Sequence, residues 1–187
     1  MPTEIFMEEL SRRIFTIVRA QLADALDRAN EQMQASDEEF FAALGEPVPA
    51  TELVPPVTWM VGQHPPVLEQ PPETFPSVAV ACYRRPDDSD QGADQWEILP
   101  HAAYVEAICI SRDEGEVQRM AQRYGKALNR VFTDNKTLGG MVERITRPPD
   151  VLVSLMEHTE PHNDDPEGWY VQGVRLEQTF EIIQVWD

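Results

Sequence analysis

Cysteine, basic charge and long hydrophobic runs are all scarce in this sequence. There are only two cysteines, Cys82 and Cys109, and they lack metal-type spacing. Both fall in short apolar runs of β character, Val78-Ala79-Val80-Ala81-Cys82 and Ala107-Ile108-Cys109-Ile110. Such thiols read as small core residues of a protein kept in a reducing compartment, ahead of a disulfide between neighbouring strands. Lysine and arginine number 15 against 33 acids, a net charge of −18. An acidic surface repels nucleic-acid phosphates and anionic lipid, so neither nucleic acid nor membrane is an expected partner. It suits solubility and docking onto basic protein surfaces. No apolar run approaches the roughly 20 residues that span a bilayer. The first residues, Met1-Pro2-Thr3-Glu4, carry no basic leader, so a cytoplasmic protein is expected.

Signatures of chemistry are missing as well. The sequence contains no G-x-x-x-x-G-K, no G-x-G-x-x-G and no G-x-S-x-G, which removes the common phosphate loops and the nucleophile elbow. Neither cysteine has an identifiable histidine partner, and nothing singles out a carboxylate pair for acid–base work. The best metal-like spacing is His158-Thr159-Glu160-Pro161-His162 with Asp164 and Asp165 nearby. A proline in the spacer, the loop setting and the lack of a third histidine favour surface loop residues instead. No catalytic residue, metal ligand or cofactor is assigned, and the chain reads as a binding or assembly part rather than an enzyme.

What is plentiful is proline, 16 in all, nine of them between residues 46 and 76. That stretch reads as an extended arm or loop region, with Val57-Thr58-Trp59-Met60-Val61 as a strand inside it. Before it, residues 3–34 have apolar side chains at helical spacing from Leu10 to Met33, with Thr3 as N-cap. Ser36-Asp37-Glu38-Glu39 is suited to capping a second, short helix that Gly45 stops. Its Phe40, Phe41 and Leu44 need cover from somewhere. Strands are expected at Pro76–Arg84, Tyr104–Ser111, Met141–Thr146, Val151–Met156 and Tyr170–Val185, with an acidic loop over residues 85–95.

A second helix over residues 113–132 buries Val117, Met120, Tyr124, Leu128 and Val131. Opposite them stand Arg119, Arg123, Lys126 and Arg130, within roughly a 60° arc. This basic stripe is either an ordinary solvated face or a docking stripe for an acidic neighbour. Gly139-Gly140 marks either a backbone kink or a close approach by another chain. Trp59 lies at a strand in the arm, a candidate for an interface anchor or for core packing. The expected fold is a single α+β domain over residues 1–187. It has an antiparallel or mixed sheet of roughly four to five strands, packed with the two helices.

One sequence of parts carries more. A strand ends in Cys109-Ile110-Ser111 and meets an acidic helix start. A helix with Tyr124 and Ala127-Leu128 follows, then Asp134, Thr137-Leu138-Gly139-Gly140-Met141-Val142 and a long final strand. In this order the chain resembles the tail terminator (tail-completion) proteins of long-tailed bacteriophages. The N-terminal helix and the Pro76–Tyr83 strand fit the same plan, and residues 46–76 have no counterpart in it. The resemblance implies an α+β subunit of a homohexameric ring in the virion, assembled in the host cytoplasm. That ring caps the tail tube, ends tube polymerisation and joins the tail to the head-connector. The implied partners are further copies of the chain, the tail tube protein and head-connector or neck proteins; no cofactor is implied. In such a ring Arg119, Arg123, Lys126 and Arg130 would face acids of the next subunit, with Gly139, Gly140, Trp59 and the arm as further contacts. The nearest alternative is another neck component, such as a head-closure or connector subunit. The alternative of a different class is a small cytoplasmic metal-binding or adaptor protein.

Overall fold

The computed structural model describes residues 7–49, 51, 53–62, 70–84, 92–93, 96–142, 144–145, 150–154, 156–159 and 168–185. The expected Thr3 cap, the His64-Pro65-Pro66 part of the arm, most of the 85–95 loop, and His162, Asp164 and Asp165 lie outside the described residues.

Helix α1 runs unbroken over Met7–Leu44, 38 residues and about 57 Å long. The expected break before Ser36 does not occur. No glycine or proline lies between Met7 and Leu44, and Gln, Glu, Met and Ala are good helix formers, so nothing outweighs propagation of the helix. Asp37 is used instead as a tether, binding Arg123 at 3.0 Å. The merged helix stops at Gly45, the residue expected to end the short second helix. Gly45 takes a left-handed φ of +70°, and Glu46 N donates to Phe41 O at 3.0 Å, the six-to-one bond of a Schellman end.

One mixed sheet carries the strands β1 (Thr58–Val61), β2 (Ser77–Arg84), β3 (Gly92–Ala93), β4 (Trp96–Ser111), β5 (Arg144–Ile145), β6 (Asp150–Val153), β7 (Glu157–His158) and β8 (Tyr170–Val185). The order across it is β1-β2-β4-β8, and β5, β6 and β7 pair in turn with the far side of β8. Only β1–β2 is parallel among these pairs. The chain is therefore α+β, as its element pattern predicts. Three strand expectations change in length, and the one at Val151–Met156 is shortened to Asp150–Val153. Strand β4 starts eight residues before Tyr104, because β8 pairs with it all the way from Ser111 back to Trp96. Pro100 is tolerated there because β2 has already ended, its last pair being Arg84–His101. The expected Met141–Thr146 strand is reduced to Arg144–Ile145, since Met141 and Val142 belong to the turn that follows α2.

Helix α2 (Glu114–Asp134) begins at Asp113, whose carboxylate accepts from Glu116 N at 2.6 Å. Glu114 and Glu116 suit the positive end of the helix dipole. Both helices pack on one face of the sheet. The residues they cover alternate along the strands: Val78 and Val80, then Ala103, Val105, Ala107 and Cys109, then Val174, Leu176 and Phe180. From α1 come Leu10, Ile14, Val18, Leu22, Leu26 and Ala29; from α2 come Val117, Tyr124, Leu128 and Phe132. Each large aliphatic side chain buried this way contributes about 2 kcal/mol. Cys82 and Cys109 are both free thiols.

Candidate assembly interface

The four cations of α2 do not form one solvated stripe. Arg123 is 3 % exposed and lies beneath the second half of α1, paired with Asp37. Its Nε and Nη1 have no hydrogen-bond partner among the described residues. Burial, together with Arg119 nearby, lowers its pKa, and Asp37 opposes that shift. Arg119 donates from Nε to Thr51 Oγ1 at 2.7 Å, which fastens the start of the arm to α2. Tyr124 does the same one turn on, donating its hydroxyl to Val54 O at 2.7 Å. That leaves Lys126 exposed and Arg130 half-exposed, 3.8 Å from Asp134. These two line a surface groove of about 330 Å³ between the helices, floored by Ala25 and Ala29.

The Leu-Gly-Gly element has an intramolecular explanation. Leu138 is buried and plugs the end of the α1–α2 seam beside Ile14, Val18 and Phe132, leaving no room for a water there. Its own φ is +48°, followed by +73° at Gly139 and +86° at Gly140. Arg13 of α1 donates from Nε to Leu138 O at 2.9 Å. A Cβ on Gly139 would collide with the Arg13 guanidinium. Between the two sequence readings, the kink is therefore present, and the close approach is made by this chain's own α1. Trp59 is likewise half-buried, edge-on to Phe15 of α1 at 5.8 Å.

Apolar exposure is concentrated elsewhere. Phe40 is 59 % and Leu44 56 % exposed at the end of α1, so the cover they need does not come from the described residues. Strand β6 is exposed along its length, Leu152 to 56 %, with Val151 and Val153 beside it. At the opposite side of the sheet, Val57 just before β1 and Val61, its last residue, are also exposed. Among the described strands, β1 pairs only with β2 and β6 only with β8, so each presents an open edge. Native edges are usually blunted by charge or proline, and β6 has only Asp150. The apolar run Val151-Leu152-Val153 was legible as a strand. Its position at an edge depends on which strand it pairs with, and composition does not specify that.

The sheet face away from the helices holds a polar cluster. Arg175 binds Glu106 at 3.1 Å and stacks 4.5 Å above the Tyr104 ring. Tyr83 donates to Glu177 at 2.9 Å. Burial raises the Tyr104 pKa, and Arg175 works against that. Among the described residues no group of three or more His, Cys, Asp or Glu is placed to hold a metal, and no helix is long and apolar enough to cross a membrane. No family model matches the chain, and no curated protein matches it.

Proposed function

We propose that this chain is a structural subunit of the neck of a long-tailed phage, a tail terminator whose copies close into a ring on the last ring of tail tube subunits. The observation that carries the assembly part is the placement of exposed apolar surface. Among the described residues it lies on two edge strands at opposite sides of one sheet and on the end of α1. Unlike patches on opposite sides favour head-to-tail contacts, which close into rings when the rotation allows. The tail assignment rests on the resemblance of Tyr104 onward, with partners in the tube protein and the head-connector.

The test is the mass of the purified protein, alone and mixed with tail tube protein, with electron microscopy of tube ends. A ring alone, or density capping tube ends with tube growth arrested, is the expected result. A ring that ignores tubes and binds connector proteins moves the chain to another neck position. A monomer that ignores both overturns the proposal.

A further inference from the structure

The second half of α1 carries the signals of a helix start in the middle of a helix. Ser36-Asp37-Glu38-Glu39 has the form of a capping box, with Ser36 at the N-cap and Glu39 three residues on. Asp37, Glu38 and Glu39 suit the first turn of a new helix, where the dipole favours acids. Inside α1 they lie beyond the first turn and gain nothing from it, and α1 has no base after Arg28.

Packing does little to hold this part straight. Ala29 is the last buried residue of α1. Beyond it Asn30, Met33, Asp37 and Phe41 are half-buried and the rest are exposed. An exposed hydrogen bond from Gln34 Nε2 to Glu38 Oε1, at 3.2 Å, bridges the Ser36 position. The charged tie to the rest of the fold is Asp37 to Arg123 at 3.0 Å. Asp37 directly follows Ser36, so a pivot at Ser36 barely moves it. The pair can therefore pin the pivot while the residues beyond it swing.

A break at Ser36 removes the backbone bonds that span it and leaves four N–H groups at the new helix start. The capping box meets two of them: Ser36 Oγ accepts from Glu39 N, and the Glu39 carboxylate accepts from Ser36 N. Ser36, Glu38 and Glu39 are exposed, so water reaches the other two. The straight form in turn leaves Phe40 59 % and Leu44 56 % exposed. Residues 45–50 link Leu44 to Thr51, which Arg119 holds. Extended, that link spans roughly 20 Å, enough slack for the end of α1 to move.

We infer that α1 is a two-state element with its hinge at Ser36. The straight rod exchanges with a form in which Asp37–Leu44 is a separate short helix, capped by Ser36 and Glu39 and swung about the Asp37–Arg123 pair. The inference stands apart from the proposed function, because it concerns one chain and not its assembly.

The experiment is a distance measurement by pulsed electron paramagnetic resonance. Spin labels go on Asp24→Cys and Ala43→Cys, both exposed sites, in a Cys82→Ala chain diluted with unlabelled protein. Cys109 is fully buried and stays unlabelled. In the straight rod the labelled positions lie about 29 Å apart along the axis. A second, shorter distance is expected in roughly 5–10 % of molecules. Ser36→Gly, which keeps an N-cap but disfavours helix interior, should raise that fraction severalfold. Ser36→Ala with Glu39→Ala, which removes the box, should abolish it. A single rod-like distance in both the parent and the Ser36→Gly chain overturns the inference. So does a shorter distance that persists undiminished without the box.

Discussion

The two halves of α1 make the most instructive comparison in the molecule. From Leu10 to Ala29 every expected apolar position is buried against the sheet and α2. From Ser36 to Leu44 the same helix carries equally apolar residues, and Phe40 and Leu44 are left in solvent. Periodicity looks alike in both halves. What separates them is whether another element lies opposite. The difference shows that an amphipathic pattern reports a need for burial, not that the chain itself meets it.

The comparison breaks most sharply by truncating one residue from each half. Leu22→Ala should lower stability by about 3 kcal/mol, through lost transfer energy and a residual cavity. Phe40→Ala should stay within about 0.5 kcal/mol, as for other exposed sites. Urea unfolding of the two variants checks both, and equal losses would mean that the end of α1 is covered within the chain.

The next effect probes the tether between the halves and α2. Asp37→Ala leaves Arg123 buried without its counter-ion, and should cost about 3 kcal/mol. Arg123→Met should cost less, because Asp37 keeps access to water and the new side chain is apolar. Measured unfolding free energies in the reverse order would contradict the burial of Arg123.

A smaller effect is expected at the turn after α2. Gly139→Ala should cost about 1–2 kcal/mol from its left-handed backbone, plus displacement of Arg13. Gly140→Ala meets the same backbone strain with nothing within 4 Å of the new Cβ, so it should cost less. Thermal melts of the pair decide this.

The mildest test is alkaline pH. Burial holds Cys109 and Tyr124 neutral and raises their pKa, and it pushes Cys82 up to about 11. Each folded value lies above the unfolded one. The unfolded chain therefore loses these protons first, beginning near the ordinary thiol pKa of 9.0. Stability should be fully present below that pH and decline above it. Urea midpoints at about pH 8 and about pH 10 should differ in that direction. The thiols should also label slowly until the chain unfolds.

Much of the fold was legible because local signals were strong. The acidic helix start after Ser111 placed α2, and Gly45, read as the stop of a separate short helix, marks the end of α1. The alternation of Val78 and Val80 with Ala79 and Ala81 gave β2 and its buried face. Candidate surface residues were far less legible. Arg123 and Lys126 share one arc of α2, yet α1 crosses over the first and not the second. Gly139 invited a partner chain, and Arg13, far away in sequence, already occupies the space.

The sequence by itself determined the α+β class, the approximate places of the main helices and strands, the acidic charge and the two free thiols, because these follow from short-range periodicity, capping and composition. Only the tertiary structure decided that α1 is one rod, that Arg123 is buried while Lys126 and Arg130 line a groove, and that β1 and β6 stand at the edges of the sheet among the described strands. Burial and pairing are set by which elements meet in space, and residues distant in the chain supply the other half of each contact.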